Sequence, residues 1–140
     1  MNSQPPAADP RQDARDLLKS LQDEYLVFRE FKPLAIGIDK QLLAQNGGVR
    51  RQVLRLALGM HTHSFRYLKV MAKAAQRFNL DGSPGDEVPE EHRRHAADIL
   101  RERREKEVER RKAEEEERKA QEAERERAEK LNRLVQKFAK

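Results

Sequence analysis

The 140-residue sequence contains no cysteine and no tryptophan, and only 5% of its residues are aromatic. The absence of cysteine excludes disulfide bonds and thiolate catalysis within this sequence. No apolar run approaches the roughly 20 residues that a membrane-spanning helix requires. The first ten residues lack the basic stretch followed by an apolar one that marks a secretory signal. We therefore expect a soluble, cytoplasmic protein that does not contact a membrane.

Acidic residues are missing from one long internal stretch. The chain has 25 acidic residues, but none lies between residues 47 and 77. The basic residues of that stretch are Arg50, Arg51, Arg55, Arg66, Lys69, Lys73 and Arg77. Between Arg29 and Arg77, ten basic and two acidic residues give a formal charge of +8, compared with +5 for the whole chain. Such a segment is typical of surfaces that bind a polyanion, most often a nucleic acid.

The N-terminal part of the chain predicts a helix followed by a short extended segment. Residues 1–8 are polar and are expected to be disordered. Asp9 is expected to cap a helix that begins at Pro10 and ends near Phe28, because apolar residues recur there at steps of three and four. The apolar residues 34–38 predict a strand-like segment.

A short third element is predicted before the basic stretch. Asp39 is expected to cap a helix that runs to about Gln45. The residues that follow, Asn46, Gly47 and Gly48, predict a left-handed helix end.

Two successive helices are predicted within the basic stretch, one from Val49 to Met60 and one that starts after Thr62 or Ser64. Each is expected to separate an apolar face from a basic face. The apolar stripe of the second helix consists of Phe65, Leu68, Met71 or Ala72, and Ala75. Its basic residues recur at steps of three and four and are expected to share the opposite face: Arg66, Lys69, Lys73 and Arg77.

A turn and a highly charged helix are predicted to follow. Residues 77–88 predict a small hairpin, because residues 81–86 form a dense turn signal. Pro89 opens the last helix, which has acidic residues near its N-terminus. Residues 101–130 contain 24 charged residues out of 30, with acid and base alternating at helical spacing, which predicts a solvated helix. The polar tail predicts a monomer, and its apolar tip is a candidate contact for a protein partner: Leu131, Leu134, Val135 and Phe138.

The two basic helices are separated by the residues His61, Thr62, His63 and Ser64. Without cysteine, and with no carboxylate in this stretch, the ligands fall short of a zinc site, so no metal is expected. A helix N-terminus with hydroxyl and imidazole groups binds phosphate or a terminal nucleotide, although simple capping accounts for the same residues. His92 and His95 are expected to be solvated on the last helix.

Tyr67 leaves two interpretations open, a half-buried core residue or a contact to a sugar or base. The sequence has no glycine-rich phosphate loop, no Ser/His/Asp set and no pair of carboxylates in an apolar setting. A protein that is not an enzyme, and that needs no cofactor, is therefore expected.

Several short motifs occur in a specific order: FKPLAIGI at 31–38, Leu54-Arg55 with Ala57-Leu58, Arg66-Tyr67-Leu68, and Arg77 followed by NLDG at 79–82. Together they resemble the ProQ/FinO domain of bacterial RNA chaperones over about residues 12–105. The resemblance implies a mixed, mainly helical domain with a small sheet, here at residues 9–105, with a charged helical extension at 106–140. It also implies binding to structured RNA, with preference for a terminator-like hairpin and its single-stranded 3′ end.

The resemblance further implies which residues bind RNA. Arg51, Arg55, Arg66, Tyr67, Leu68 and Arg77 match the RNA-contacting face of the family. Thr62, His63 and Ser64 match the helix N-terminus that receives the 3′-terminal nucleotide. With their basic and histidine neighbours, the predicted RNA-binding residues are Lys32, Arg50, Arg51, Arg55, His61, Thr62, His63, Ser64, Arg66, Tyr67, Lys69, Lys73 and Arg77. Where many members of the family have a lysine and an arginine, this chain has Ala35 and Gly59, which is expected to weaken phosphate binding unless Arg50, Lys69 or Lys73 substitute.

Three functional hypotheses follow. The first is a bacterial RNA-binding protein and RNA chaperone that acts on small RNAs and mRNAs in post-transcriptional regulation. The second is a DNA-binding or nucleoid-associated protein that uses residues 49–76 as a helix-turn-helix, although basic residues spread over both helices argue against a single recognition helix. The third is a scaffold whose long helix recruits partners.

Overall fold

The computed structural model describes residues 9–139, and within that range it contains six helices and one two-stranded sheet. In chain order these are α1 (Pro10–Glu24), α2 (Leu26–Arg29), α3 (Ile38–Gln45), α4 (Arg51–Thr62), α5 (Phe65–Met71), β1 (Gln76–Phe78), β2 (Pro84–Glu87) and α6 (Glu90–Phe138). The predicted fold class, mainly helical with a small hairpin and a long charged C-terminal helix, is confirmed. The disorder expected for residues 1–8 lies outside the described residues. The chain divides into two compact units, the first ending at Leu100 and the second beginning at Arg101.

The core of the first unit is built from all of its helices. Val27, Phe28, Leu42 and His61 are its most deeply buried large side chains. α1 packs along α4 through a smaller apolar cluster formed by Ala14, Val53 and Ala57. The first turns of α6 complete the core with Ala96 and Leu100.

The N-terminal cap is confirmed, but the first helix is shorter than predicted. The side chain of Asp9 accepts a hydrogen bond from the backbone N–H of Arg11 at 3.1 Å. The single helix predicted to end near Phe28 is wrong, because the backbone is extended at Tyr25 (φ −115°, ψ 126°) and α2 is a separate helix. This break turns Val27 and Phe28 into the core. Only Tyr25 separates α1 from α2, so the apolar residues keep their steps of three and four across the break. Their spacing therefore does not reveal it.

The segment between α2 and α3 differs from the predicted strand. Leu34 alone forms a bridge, which is parallel and pairs with Phe78. Gly37 adopts a left-handed conformation (φ 86°) and caps α3, so the strand is wrong for residues 35–38. Asp39 lies inside the first turn of α3 rather than at its cap. Glycine adopts this conformation without steric cost, which lets the chain turn directly into the helix.

The left-handed end predicted for α3 is also wrong. α3 ends at Gln45, and the C-cap residue Asn46 has φ −132°. Within residues 9–139, positive φ angles occur at Gly37 and Gly82 and at one non-glycine residue, Phe31 (φ 55°).

The junction of α4 and α5 confirms one of the two predicted caps. The hydroxyl of Ser64 accepts a hydrogen bond from the backbone N–H of Tyr67 at 3.3 Å, so Ser64 caps α5. Thr62 ends α4 instead, and its hydroxyl donates to the carbonyl of Leu58 at 2.9 Å.

The predicted apolar stripe of α5 is partly wrong. Leu68 and Met71 are buried as predicted, but Phe65 is 48% exposed, and Ala75 is exposed beyond the helix end. Tyr67 is buried in their place. The prediction that Lys73 and Arg77 share the basic face of this helix is wrong, because α5 ends at Met71.

The hairpin is confirmed. β1 and β2 are antiparallel, with Gln76 opposite Glu87 and Phe78 opposite Pro84. Gly82 adopts a positive φ of 90° in the turn between them. The buried side chains of Leu80 and Val88 attach the hairpin to the core.

The second unit consists of the remainder of α6, which begins, as predicted, with acidic residues in its first turn. None of the described residues from 101 to 139 is buried. Arg110 pairs with Glu107 and Glu114, and Arg118 pairs with Glu115 and Glu122. Such exposed pairs each contribute little to stability. No helix in the described part of the chain is long and apolar enough to cross a membrane.

Candidate nucleic-acid interface

Most of the predicted RNA-binding residues line three separate cavities of the first unit rather than one continuous face. We call them the arginine groove (Asp39, Lys40, Arg51, Arg55 and their apolar neighbours), the terminal pocket (Thr62, His63, Tyr67, Arg77, His92 and His95) and the lysine groove (Lys32, Lys69, Lys73 and Phe78). Arg50 and Arg66 are exposed on the surface outside these cavities, and Ser64 caps α5.

The arginine groove lies between α3 and α4 and has a volume of about 340 Å³. Arg51 and Arg55 are exposed and one helical turn apart on α4, so their side chains extend over the same surface. The floor is apolar, with Leu43, Leu54 and Leu58. Guanidinium groups above an apolar floor favour contact with phosphates along a nucleic-acid strand.

The terminal pocket, of about 360 Å³, is bounded by the α4–α5 junction, β1 and the first turns of α6. The hydroxyl of Tyr67 accepts a hydrogen bond from the backbone N–H of Leu34 at 3.1 Å. Arg77 donates from Nη1 to the carbonyl of Leu34 at 2.9 Å, so both backbone polar groups of that residue are satisfied. Burial raises the pKa of the Tyr67 phenol, and the Leu34 hydrogen bond and the charge of Arg77 oppose that rise. Of the two interpretations of Tyr67, the structure favours the core residue.

Arg77 also contacts a histidine. Its Nη2 lies 2.9 Å from Nδ1 of His92. The half-buried Arg77 is therefore held by two partners before any ligand arrives.

His92 and His95 are exposed, as predicted for solvated residues, and they also line the terminal pocket. They lie one turn apart on α6. Their spacing is the signal in the sequence that could have indicated this position. Ala96 and Ile99 continue the same face of α6 and pack on the core, which brings the two histidines close to it.

His61 does not face the surface, so the prediction that it binds RNA is wrong. Its side chain is fully buried, and its ring lies 4.8 Å from that of Phe28, 4.7 Å from that of Phe31 and 5.4 Å from that of Tyr67. Neither ring nitrogen has a hydrogen-bond partner among the described residues. Burial lowers the pKa of His61 to about 4. Its spacing from Leu54 and Ala57 places it on the buried face of α4.

Arg66 is oriented by a stack of rings. Its guanidinium carbon lies 4.7 Å from the centre of the Phe31 ring. That ring stacks on His61 with an angle of 19° between the planes. Phe31 has a positive φ of 55°, which is uncommon for a residue with a side chain, and this conformation accompanies a ring placed between the core and Arg66.

The lysine groove, of about 660 Å³, lies between the end of α5, β1 and the residues that precede Leu34. Lys32 Nζ lies 4.9 Å from the centre of the Phe78 ring and 3.6 Å from a carboxylate oxygen of Glu30. Lys69 Nζ lies 5.5 Å from the centre of the Phe65 ring.

The residues that depart from the family pattern occupy different environments. Ala35 is buried beside Gly85. Gly59 is on α4, and a β-carbon added there would meet no atom within 4 Å. His63 Nδ1 lies 2.9 Å from the carbonyl oxygen of Gly59. Among the described residues, no group of three or more His, Cys, Asp or Glu side chains is arranged to hold a metal ion.

Comparisons with known proteins agree with the resemblance. A family model described as the ProQ/FINO family matches residues 11–114. An RNA chaperone ProQ from Shewanella baltica is 45% identical over 80 residues, covering 55% of this chain and 38% of the relative. An RNA chaperone ProQ from Idiomarina loihiensis is 38% identical over 96 residues, covering 66% of this chain and 46% of the relative. The chain thus spans less than half the length of these relatives.

A solved structure is also similar. It is the crystal structure of a FinO-like RNA chaperone from Neisseria meningitidis MC58, with a TM-score of 0.60 and 29% sequence identity. The match covers 67% of this chain and 81% of the solved one.

Proposed function

This chain belongs to the ProQ/FinO family, and we propose that it is a cytoplasmic, non-enzymatic RNA chaperone that binds terminator-like hairpins and their 3′ ends. The names of its relatives and of the solved structure support RNA as the ligand. We propose residues 9–105 as the RNA-binding domain and small-RNA regulation as the setting in which it acts.

The observation that carries the proposal is the terminal pocket. Arg77 has five N–H donors, and its contacts with Leu34 and His92 leave others for a phosphate. Thr62 and the imidazoles of His63, His92 and His95 surround the same cavity. Leu68 and Met71 supply an apolar surface for a sugar or base. This combination suits the terminal nucleotide of an RNA, which presents a phosphate, a ribose with free hydroxyls and an unstacked base.

The hairpin stem is proposed to lie against the arginine groove and Arg66. The major groove of A-form RNA is too narrow for side chains to reach the bases, so recognition there depends on helix shape and backbone phosphates. Arg51 and Arg55 extend from one surface of α4 and suit such phosphates. The resulting affinity should fall with salt, because each phosphate contact releases counterions.

The alternative ligand is duplex DNA, which the chain would bind through a helix-turn-helix. α5 would be the recognition helix, but it has seven residues and buries Tyr67, Leu68 and Met71. Its only charged residues are Arg66 and Lys69, which leaves few side chains for reading base edges.

The test compares three ligands: a terminator hairpin with a U-rich tail, the same hairpin with a phosphate blocking its 3′ hydroxyl, and duplex DNA. We expect the free 3′ end to bind most tightly and the DNA most weakly. Arg77→Ala should remove the preference for the free 3′ end, whereas Arg51→Ala should weaken both hairpins equally. Arg94→Ala, an exposed residue of α6 that pairs with Glu90, is the control and should change neither. Equal binding of all three ligands by the unmodified protein would contradict the proposal.

A further inference from the structure

We propose that the lysine groove binds an unpaired RNA segment on the 5′ side of the hairpin, as a site distinct from those for the stem and the 3′ end. This inference rests on the proposed function, because it assumes that a hairpin occupies the neighbouring surface. It adds a further ligand element, single-stranded RNA, and names the side chains that recognise it.

The charge of the groove supports a polyanionic ligand. Lys32, Lys69 and Lys73 line the groove, and none of its lining residues is acidic, although Lys32 pairs with Glu30 outside it. Within residues 9–139, no carboxylate forms an ion pair with Lys69 or Lys73, and both are exposed. Lysine is a mobile point charge on a flexible stem, which suits phosphates whose positions vary with the conformation of a single strand.

The floor of the groove favours a single strand over a duplex. Pro33, Val70 and the half-buried ring of Phe78 form an apolar surface beneath the lysines. Lys32 Nζ lies 4.9 Å from the centre of the Phe78 ring, so the groove pairs a cation with an aromatic ring. Proteins that bind single-stranded RNA combine a basic groove with aromatic rings on which bases stack. A duplex keeps its bases stacked inside and cannot present one to Phe78.

Strand β1 explains why this groove is distinct from the terminal pocket. Consecutive side chains of a strand point to opposite faces. Arg77 accordingly lines the terminal pocket, and the next residue, Phe78, lines the lysine groove. The 5′ flank and the 3′ tail of a hairpin leave the stem at the same end, so two sites on opposite faces of one short strand suit the two segments. Since the 3′ end is assigned to the terminal pocket, the lysine groove is assigned to the 5′ flank.

The experiment measures the affinity of the full chain for two RNAs that share one hairpin and U-rich 3′ tail. One has no 5′ overhang and the other has an unpaired 5′ extension of about ten nucleotides, a length that covers one site of a single-strand-binding domain. We expect the extension to strengthen binding. The Lys69→Ala/Lys73→Ala protein should lose this gain, and its salt dependence on the extended RNA should fall by a slope of about 1.4, the value for two single-strand phosphate contacts.

Two further variants separate the contribution of base stacking from that of the lysine charges. Phe78→Leu keeps the charge, so it should weaken binding of the extended RNA about tenfold, as the loss of one stacked base would, without changing the salt slope. Lys19→Ala/Arg94→Ala removes the same charge from exposed positions outside the three cavities and should preserve the gain. Thermal unfolding of each variant verifies that it is folded.

The inference is overturned if the extension adds no affinity, or if Lys69→Ala/Lys73→Ala weakens both RNAs by the same factor. Failure of the proposed function looks different. In that case the hairpin without an extension would bind equally with a free and a blocked 3′ end, whatever the extension contributes.

Discussion

The hydroxyl of Tyr67 lies 3.1 Å from the backbone nitrogen of Leu34 and accepts its hydrogen bond, across 33 residues of sequence. The carbonyl of Leu34 is held by Arg77. The backbone of Leu34 thereby links Tyr67, in the core, to Arg77, which lines the terminal pocket. The geometry of the terminal pocket consequently depends on Tyr67, which lines the pocket although only 5% of the residue is exposed.

Tyr67→Phe should destabilise the protein by about 1–3 kcal/mol, because it leaves the buried N–H of Leu34 without a partner. Urea denaturation measures the change. Tyr25→Phe is the matched control, since the hydroxyl of Tyr25 accepts a longer, 3.3 Å hydrogen bond from Asn46 at a partly buried site. Reduced RNA affinity of Tyr67→Phe with unchanged stability would instead place the hydroxyl against RNA.

His61→Phe should stabilise the protein, because a ring of similar size would replace two buried nitrogens that lack partners. It should also change the pH dependence of stability. His61 titrates at about 4 in the folded protein and near 6.5 when unfolded, so the unfolded chain binds more protons between these values. Stability of the unmodified protein should therefore fall from pH 6.5 towards pH 4, by at most about 1.4 kcal/mol per pH unit from this group.

The measurement is the difference in unfolding free energy between the unmodified protein and His61→Phe at several pH values, which removes the contribution of the carboxylates. The difference should grow as the pH falls to 4 and then level off. Gln121→Ala, a change at an exposed site that carries no titratable group, should show no such dependence. A difference that is constant between pH 7 and pH 4 would contradict the assignment.

Gly59→Arg should strengthen RNA binding and steepen its salt dependence. The position lies one turn after Arg55 on α4, and a side chain added there meets open space. The change should also stabilise α4 by up to about 1 kcal/mol, because glycine is unfavourable inside a helix. Gly59→Gln gains the same helical preference without the charge. Equal RNA affinity of the two variants would show that no phosphate lies near this position.

Phe31→Leu should lower RNA affinity although Phe31 is not itself placed against RNA. Its ring supports the guanidinium of Arg66, and a cation above an aromatic ring gains about 0.5–1 kcal/mol at an exposed site. Arg66→Ala should lower the affinity further and flatten its salt dependence. Fluorescence anisotropy titrations at several salt concentrations provide both values. If Arg66→Ala binds RNA normally, this part of the interface is misplaced.

Truncation after Glu105 should preserve hairpin binding and cooperative unfolding. The core of the first unit ends with Leu100, and the described residues beyond it are not buried. The ion pairs of the second unit are local to the helix, so their removal leaves no unpaired charge in the core. Loss of hairpin binding would show that the charged extension contacts RNA.

Local patterns in the sequence predicted much of the fold because their causes are local. The cap at Asp9, the cap at Ser64 and the turn at Gly82 each depend on neighbouring backbone groups. Where a prediction failed, a distant contact decided the outcome. The segment 34–38 has the composition of a strand, but its pairing with β1 is limited to the bridge of Leu34 with Phe78 and the hydrogen bond from the Ala35 N–H to the Phe78 carbonyl.

The candidate site was predicted less completely for the same reason. The basic stretch identified Arg51, Arg55 and Arg77, since charge is visible in the sequence. It could not show that His61 is in the core or that His92 and His95 reach the terminal pocket from α6. Those positions depend on how helices pack, which brings together residues that are distant in sequence, such as Arg77 and His92, 15 positions apart.

By itself the sequence determined a mainly helical protein, a basic stretch without acidic residues and a resemblance to one family, because charge and apolar periodicity are properties of neighbouring residues. Only the tertiary structure decided that the basic residues divide among three cavities. It also decided that Tyr67 and His61 belong to the core. The physical reason is that burial and the direction of a side chain depend on contacts between distant segments, such as that of Tyr67 with Leu34, which short-range spacing does not encode.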